Sequence, residues 1–267
     1  MARANVEKPS GPPRGLLSGR FVRSLRKSLL LPQRLCLSAA CLLAAAPAHA
    51  ERMAAADEPP FIQTARQLAV KIVRGGGGPT VQFVGTGFAF VYQGKALAVT
   101  NYHVAALGLL PEPPAGGLHV GYAEPVSYHA ANSVLAVPAA DLAIIETEVV
   151  SPQAQPYPTG IAALGGTVYS VSFDQEAFQQ ASPLVFKGQV VGIVRALFPS
   201  SVLLVKPPAP PDAVKAYVID GSDCVYGASG SMILNDSGEL IAYNAGTIGN
   251  GLCIAVAIEE MVRALAR

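Results

Sequence analysis

From Thr80 onward the chain is built of short apolar runs of strand length, separated by glycine, proline or polar turns. Over 81–91 valine and phenylalanine recur at period two. Gln93-Gly94-Lys95 supplies a turn and 96–100 returns, which predicts a hairpin. Further strands are predicted at 119–122, 133–137, 142–146, 167–173, 188–194, 201–205, 216–219, 232–234, 239–244 and 253–256, with a proline-rich turn at 207–211. The stretch 107–117 is dense in proline and glycine and reads as a loop. One helix is predicted at the C-terminal end: Ile258, Met261, Val262 and Leu265 follow helical spacing, and Arg263 and Arg267 suit the negative end of its dipole. Ahead of the strands, 51–60 shows no pattern, and 67–73 is a short apolar segment ended by glycines and Pro79. Closely spaced strands without alternating long helices predict an all-β barrel or sandwich.

The first fifty residues have a different character. Residues 1–34 carry eight basic side chains and one acid, Glu7; an apolar run fills 35–46; and Ala48-His49-Ala50 offers a small-x-small cleavage site. This predicts a signal peptide over 1–50, a leader over 51–66 and a folded region over 67–267, hence a periplasmic or secreted protein. Cys41 invites a lipoprotein reading, but Ser38-Ala39-Ala40 before it lacks the expected aliphatic residue. The apolar run is too short to span a bilayer, and nothing later approaches the roughly 20 apolar residues that a membrane helix needs. Without the first fifty residues the chain has 11 basic and 17 acidic residues, a net charge of about −6. That argues against nucleic acid or an anionic membrane surface as partner. Two cysteines remain, Cys224 and Cys253, and an even count in an exported chain implies a disulfide.

Three segments carry candidate chemistry: Thr100-Asn101-Tyr102-His103-Val104, Asp141-Leu142-Ala143-Ile144-Ile145 and Gly227-Ala228-Ser229-Gly230-Ser231. A serine on a glycine-flanked turn, a histidine to take its proton and an aspartate to orient the histidine are the roles of serine acyl transfer. Ser229 lies just before a strand-like run. His103 follows a strand and precedes small residues, a context that the rival bases His119 and His129 lack. Asp141 opens an apolar strand, where a buried carboxylate needs a partner such as a histidine N–H. Gly227 lets the backbone come close to a substrate, and its amide with that of Ser229 can form an oxyanion hole. The order His, Asp, Ser discriminates between folds. An α/β-hydrolase places its histidine after the serine, and none follows His129; a subtilisin order needs an aspartate before the histidine, and between the expected cleavage site and His103 only Asp57 stands, in the polar leader. With no His-Glu-x-x-His motif and no cysteine cluster, neither a metal nor another cofactor is expected.

The three segments resemble those of the chymotrypsin-like serine protease superfamily, in its bacterial periplasmic and secreted branch. Gly85-Thr86-Gly87-Phe88 and Thr100-Asn101-Tyr102-His103-Val104 are similar to segments of the high-temperature-requirement proteases, as are Asp141-Leu142-Ala143-Ile144 and the run through Ser237-Gly238-Glu239-Leu240-Ile241. The Ser-Gly-Ser form of the serine motif resembles secreted glutamyl endopeptidases. The resemblance implies two antiparallel six-stranded β-barrels, about 67–158 and 159–256, then a helix over 257–267, with no appended peptide-binding (PDZ) domain. It implies a trypsin-like endopeptidase acting on peptides or proteins, with catalytic His103, Asp141 and Ser229. The substrate pocket would be formed by Ser222, Asp223, Asn244, Ala245 and Gly246. Asp223 lies six before the serine, where trypsins select basic side chains, but aligning on Cys224 puts Ser222 there instead. Asn244 stands where glutamyl endopeptidases carry a histidine, which counts against acidic substrates. Two positions depart from the pattern: Ala228 replaces the usual Asp or Asn, and Met232 the usual proline. A protease-fold protein that binds peptides without cleaving them, and an esterase or transacylase on the same fold, are the alternatives.

Overall fold

Two adjacent prolines turn the N-terminal segment into a helix that its composition does not announce. The computed structural model describes residues 51–75, 81–108, 117–122, 127–147, 156–173, 182–198, 203–205, 212–221 and 226–266; the proposed signal peptide lies outside them. Strand β1 (Glu51–Arg52) is followed by a single 3-10 turn, Ala55–Asp57, and then by helix α1 (Phe61–Leu68). Pro59 and Pro60 suit a helix start, where an amide would have no partner, and α1 buries Ile62, Ala65 and Leu68 along one face. Arg66 pairs with Glu58 and donates to Ser182 Oγ (2.9 Å) and to Pro183 O, so the helix is fastened to a distant part of the chain. The single apolar element expected over 67–73 is therefore corrected: the chain changes from helix to strand between Leu68 and Ala69.

The first barrel comprises β2 (Ala69–Arg74), β3 (Gln82–Tyr92), β4 (Lys95–Thr100), β5 (Leu118–Tyr122), β6 (Ser127–Val137) and β7 (Leu142–Thr147), closed in the order β2-β3-β4-β7-β6-β5. The predicted hairpin is β3–β4, and Gln93 and Gly94 at its tip both have positive φ, as tight two-residue hairpin turns require. Helix α2 (Tyr102–Gly108) follows β4 and takes the first two residues of the expected 107–117 loop. Strand β6 begins six residues before the predicted 133. It pairs over 127–130 with β5 and from Ala131 with β7, the second ladder having a register shift between Ala131 and Ser133. Much of its length is exposed, so it carries little apolar alternation to read.

The second barrel is built from β8 (Thr167–Ser172), β9 (Leu184–Leu197), β10 (Leu203–Val205), β11 (Val214–Asp220), β12 (Met232–Asn235), β13 (Leu240–Gly249) and β14 (Leu252–Ala257), followed by helix α3 (Ile258–Leu265). Six of these close a ring, β9-β11-β14-β13-β12-β8, through a second pairing of β8 with β9; β1 and β10 add to β9 from outside the ring. The 14-residue β9 is long because it pairs β8 over 184–189 and β11 over 189–196. The architecture is therefore the all-β pair of antiparallel six-stranded barrels with a short C-terminal helix. On α3, Ile258 and Met261 are buried as expected, but Val262 is 41 % exposed. Glu260 is buried instead, because Arg263 and the Lys215 amide (3.3 Å) hold its carboxylate.

One apolar cluster runs through both barrels, from Val70, Phe88 and Val99 to Phe173, Met232, Tyr243 and Val256. At the seam Gly230 (φ 87°) comes so close to β3 and the end of β4 that a Cβ there would run into Thr86 O and Thr100 Oγ1. Gly230→Ala adds that clash to the strain of a positive φ, so we expect a loss of about 2 kcal/mol or more. For a domain of this size that lowers Tm by roughly 4–8 °C. Unfolding by heat or urea within 0.5 kcal/mol of wild type would show that the seam is looser than this contact requires.

Candidate active site

Asp141 takes up a backbone conformation that few side chains tolerate. It caps the 3-10 turn Pro138–Ala140 in the left-handed region (φ 46°, ψ 42°), its amide donating to Pro138 O (2.9 Å); aspartate is among the few residues that adopt this region without glycine's freedom. Its carbonyl accepts from the Tyr102 amide (3.0 Å) and from Asn101 Nδ2 (3.1 Å), which binds the turn to the start of α2. The carboxylate, 2 % exposed, accepts from the His103 amide (3.1 Å) and faces His103 Nδ1 at 2.8 and 3.1 Å. An ionised carboxylate can only accept, so Nδ1–H donates to it, and in the neutral imidazole this leaves Nε2 as the acceptor. The imidazole is 38 % exposed, so the pair is dry on the aspartate side and open on the other.

The second barrel holds this turn from behind. Tyr243, fully buried on β13, donates its hydroxyl to Ala140 O (2.7 Å). Burial pushes its phenol well above the ordinary value of 10, with the charges of Asp141 and Glu260 adding to the shift. A crevice of about 130 Å³ lies against the same turn, lined by Ala140, Val214, Glu260 and Arg263; none of His103, Asp141 or Ser229 lines it.

Ser229 sits half-buried on the turn before β12, and its neighbours' carbonyls are fully engaged. Gly227 O accepts from Thr86 Oγ1 (2.8 Å) and Ser229 O from the Thr86 amide (3.0 Å). Ala228 O accepts from the Ser231 amide (3.0 Å) and Asn244 Nδ2 (3.4 Å), and the Gly230 amide donates to Asn244 O (2.8 Å). The amides of Gly227, Ala228 and Ser229, in contrast, donate to no described residue. In a planar trans peptide the N–H points opposite to the C=O, so tying down Ala228 O aims the Ser229 N–H away from the turn. Gly227, at φ 101°, adopts a conformation open to glycine. Free, fixed amides of this kind form a ready site for an oxyanion.

A family model described as a trypsin-like peptidase domain matches residues 85–242. The chain belongs to that family. Its matched span contains His103, Asp141 and Ser229. Comparison with curated protein sequences gives no match. Among solved structures, the active form of the Rv3671c protease from M. tuberculosis is similar at a TM-score of 0.58 and 18% identity, covering 83% of this chain and 89% of that one. An inactive form of the same protease gives 0.57 and 19%, covering 82% and 97%. The MamO protease domain from Magnetospirillum magneticum, in its apo form, gives 0.58 and 18%, covering 76% and 97%. At these identities the likeness establishes the fold.

The structure thus joins His103 to Asp141 and sets Ser229 against the first barrel: Ser229 O approaches Gly85, as does the side chain of Val104, next to His103. Among the described residues no hydrogen bond links Ser229 Oγ to His103 Nε2. The rival bases lie elsewhere: His119 faces Gly117 O (3.3 Å) and His129 Nε2 faces Ser127 Oγ (3.0 Å). Of the expected substrate-pocket residues, Asn244, Ala245 and Gly246 lie on β13, where Asn244 is 1 % exposed and Gly246 borders open space. Ser222, Asp223 and Cys224 lie outside the described residues. Cys253, buried on β14, is disulfide-bonded. Sequence reasoning missed the work of Thr86, Asn244 and Tyr243 in holding the site; the glycines on either side of Thr86 were the available signal, since they mark close backbone approach.

Tyr243→Phe leaves Ala140 O without its donor, and the expected cost is about 1–3 kcal/mol. The wild type should also lose stability as pH rises past 10, because a phenol whose folded value is raised resists ionising only while folded. Below that pH its contribution is constant. Urea unfolding as a function of pH checks both effects: the phenylalanine variant should be less stable at neutral pH and show a shallower alkaline decline. Parallel curves would show that the buried phenol does not set the alkaline limb.

Proposed function

We propose that this protein is an exported serine endopeptidase in which Ser229 attacks the scissile carbonyl, His103 takes its proton and returns it to the leaving amine, and Asp141 holds the imidazole. The observation that carries the reading is the division of the Ser229 turn into engaged carbonyls and amides that donate to no described residue, next to a histidine whose Nδ1 is fixed by a buried carboxylate. In this reading the amides of Gly227 and Ser229 receive the oxyanion of the tetrahedral intermediate, and the acyl-enzyme then hydrolyses by the same steps with water. Sequence supports export to the periplasm or beyond. Among the described residues no helix is long and apolar enough to cross a membrane. Asn244, which stands where glutamyl endopeptidases carry a histidine, lies beside the Ser229 turn and counts against acidic side chains, so basic side chains are favoured over acidic ones.

Ser229→Ala should abolish labelling by a fluorophosphonate and lower peptide hydrolysis about a thousandfold or more while the fold persists. Equal hydrolysis by the two proteins would end the proposal. A second reading, a protease-fold protein that binds peptides without cleaving them, is favoured by the lack of a Ser229–His103 hydrogen bond among the described residues. Such bonds often tighten only when substrate is bound. A wild type that takes no label yet binds peptide tightly would select this second reading.

We propose further that Cys224 is the partner of Cys253. The bridge would close a loop of about 30 residues around Ser229 and stabilise the fold by roughly 3–4 kcal/mol on the chain-entropy model. Reduction should slow turnover before the protein unfolds, since the oxyanion amides need placement to a fraction of an ångström. Mass spectrometry of the native protein after alkylation checks the pairing, and modification of both thiols without prior reduction would refute it.

A further inference from the structure

We propose that the hydroxyl of Thr86 is a positioning group for the oxyanion turn, a role that rests on the hydrolase reading above. Thr86 is fully buried at the seam between the barrels. Its amide donates to Ser229 O (3.0 Å), and its carbonyl accepts from Thr100 Oγ1 (2.7 Å). Its hydroxyl oxygen accepts from the Phe173 amide (3.0 Å) and lies within donating distance of two carbonyls, Gly227 O (2.8 Å) and Phe173 O (2.9 Å).

A hydroxyl has one proton, so it serves one of those carbonyls at a time. The assignment to Gly227 follows from what each carbonyl adjoins. Gly227 carries one of the two oxyanion amides and has no side chain to hold it; its C=O lies in the Gly227–Ala228 peptide plane, which links that amide to the peptide that carries the Ser229 amide, so a bond to Gly227 O fixes the link between the two. With that proton on Gly227 O and the Thr86 amide on Ser229 O, a single residue of the first barrel fixes the carbonyls of both amide-bearing residues. The Phe173 amide in turn fixes the hydroxyl oxygen from the last described residue after β8. The first barrel thereby sets the turn of the second to the tolerance that oxyanion binding needs.

The test uses the full chain and one probe, a fluorophosphonate, whose attack by serine develops charge on oxygen as acyl transfer does. The limiting rate constant of labelling and the half-saturating concentration are measured separately, together with Tm, for wild type, Thr86→Ser and Thr86→Val. The serine variant keeps the hydroxyl and should label within about threefold of wild type. The valine variant keeps the shape and loses the hydroxyl; its limiting rate should fall about 10- to 100-fold with half-saturation unchanged, as displacement of an oxyanion donor predicts. A purely structural role would lower Tm and the labelled fraction without changing the rate of the molecules that label. Where the valine variant does not fold, Thr86→Cys, with only a weak S–H donor, replaces it with the same expected direction. Equal limiting rates in wild type and the hydroxyl-free variant would overturn the proposal, as would an equal fall in the serine variant. A wild type that takes no label would overturn the hydrolase reading itself, and this inference with it.

Discussion

The contact on which the rest of the site depends is the approach of Gly85-Thr86-Gly87 on β3 to the turn that carries Ser229. Two barrels packed through an apolar cluster gain most of their cohesion from burial, but burial is non-directional and tolerates sliding. Hydrogen bonds supply the direction. The Thr86 amide on Ser229 O and its hydroxyl at Gly227 O are made in a buried seam, where they are stronger than at a surface and costly to break. The close fit of Gly230 against Thr86 and Thr100 makes those bonds possible, because any side chain there would push the strand away.

The seam works in both directions. Thr86, from the first barrel, holds the serine turn of the second; Tyr243, from the second, holds the aspartate turn of the first. Each barrel carries its candidate groups on a turn held partly by its own residues and partly by a bond from the other barrel. His103 and Asp141 are joined directly, whereas among the described residues these crossed bonds and the apolar packing beneath them tie the pair to the Ser229 turn. A change that separates the barrels slightly would therefore leave the His103–Asp141 pair intact while displacing the serine turn. In the proposed reaction, rate rather than folding would be the quantity most sensitive to such a change.

Much of this was legible in the chain because β-structure announces itself through period two and turn residues. The β3–β4 hairpin, the strands at 142–146, 167–173 and 232–234, and helix α3 stand close to where the pattern puts them. The strand starts with weak alternation were not legible: β6 has no buried residue along its length, and β9 is extended because it changes partners along its length, a property of barrel closure that no local pattern records. Helix α1 was missed because its stripe of Ile62, Ala65 and Leu68 spans only two turns. The proximity of His103 and Asp141 could be argued from their contexts, since a buried carboxylate at a strand mouth needs a donor. The crossed bonds of Thr86 and Tyr243 could not. They join positions more than a hundred residues apart, through groups that look like ordinary strand residues.

The two departures from the usual serine motif follow from the same contacts. Ala228 is fully buried, so a carboxylate in its place would need a charged partner in the core. With alanine there, its carbonyl is held by Asn244 Nδ2 and the Ser231 amide, which orients the Ser229 N–H without any ion pair. Met232, in place of a proline, is also fully buried and joins the apolar cluster that runs through both barrels. The rigidity a proline would give the chain after Ser229 comes instead from strand pairing: Met232 lies between Val171 of β8 and Tyr243 of β13. The turn is thus fixed by neutral hydrogen bonds and packing, and a charge-driven ordering step of the kind that an aspartate makes possible has no residue at 228 on which to act.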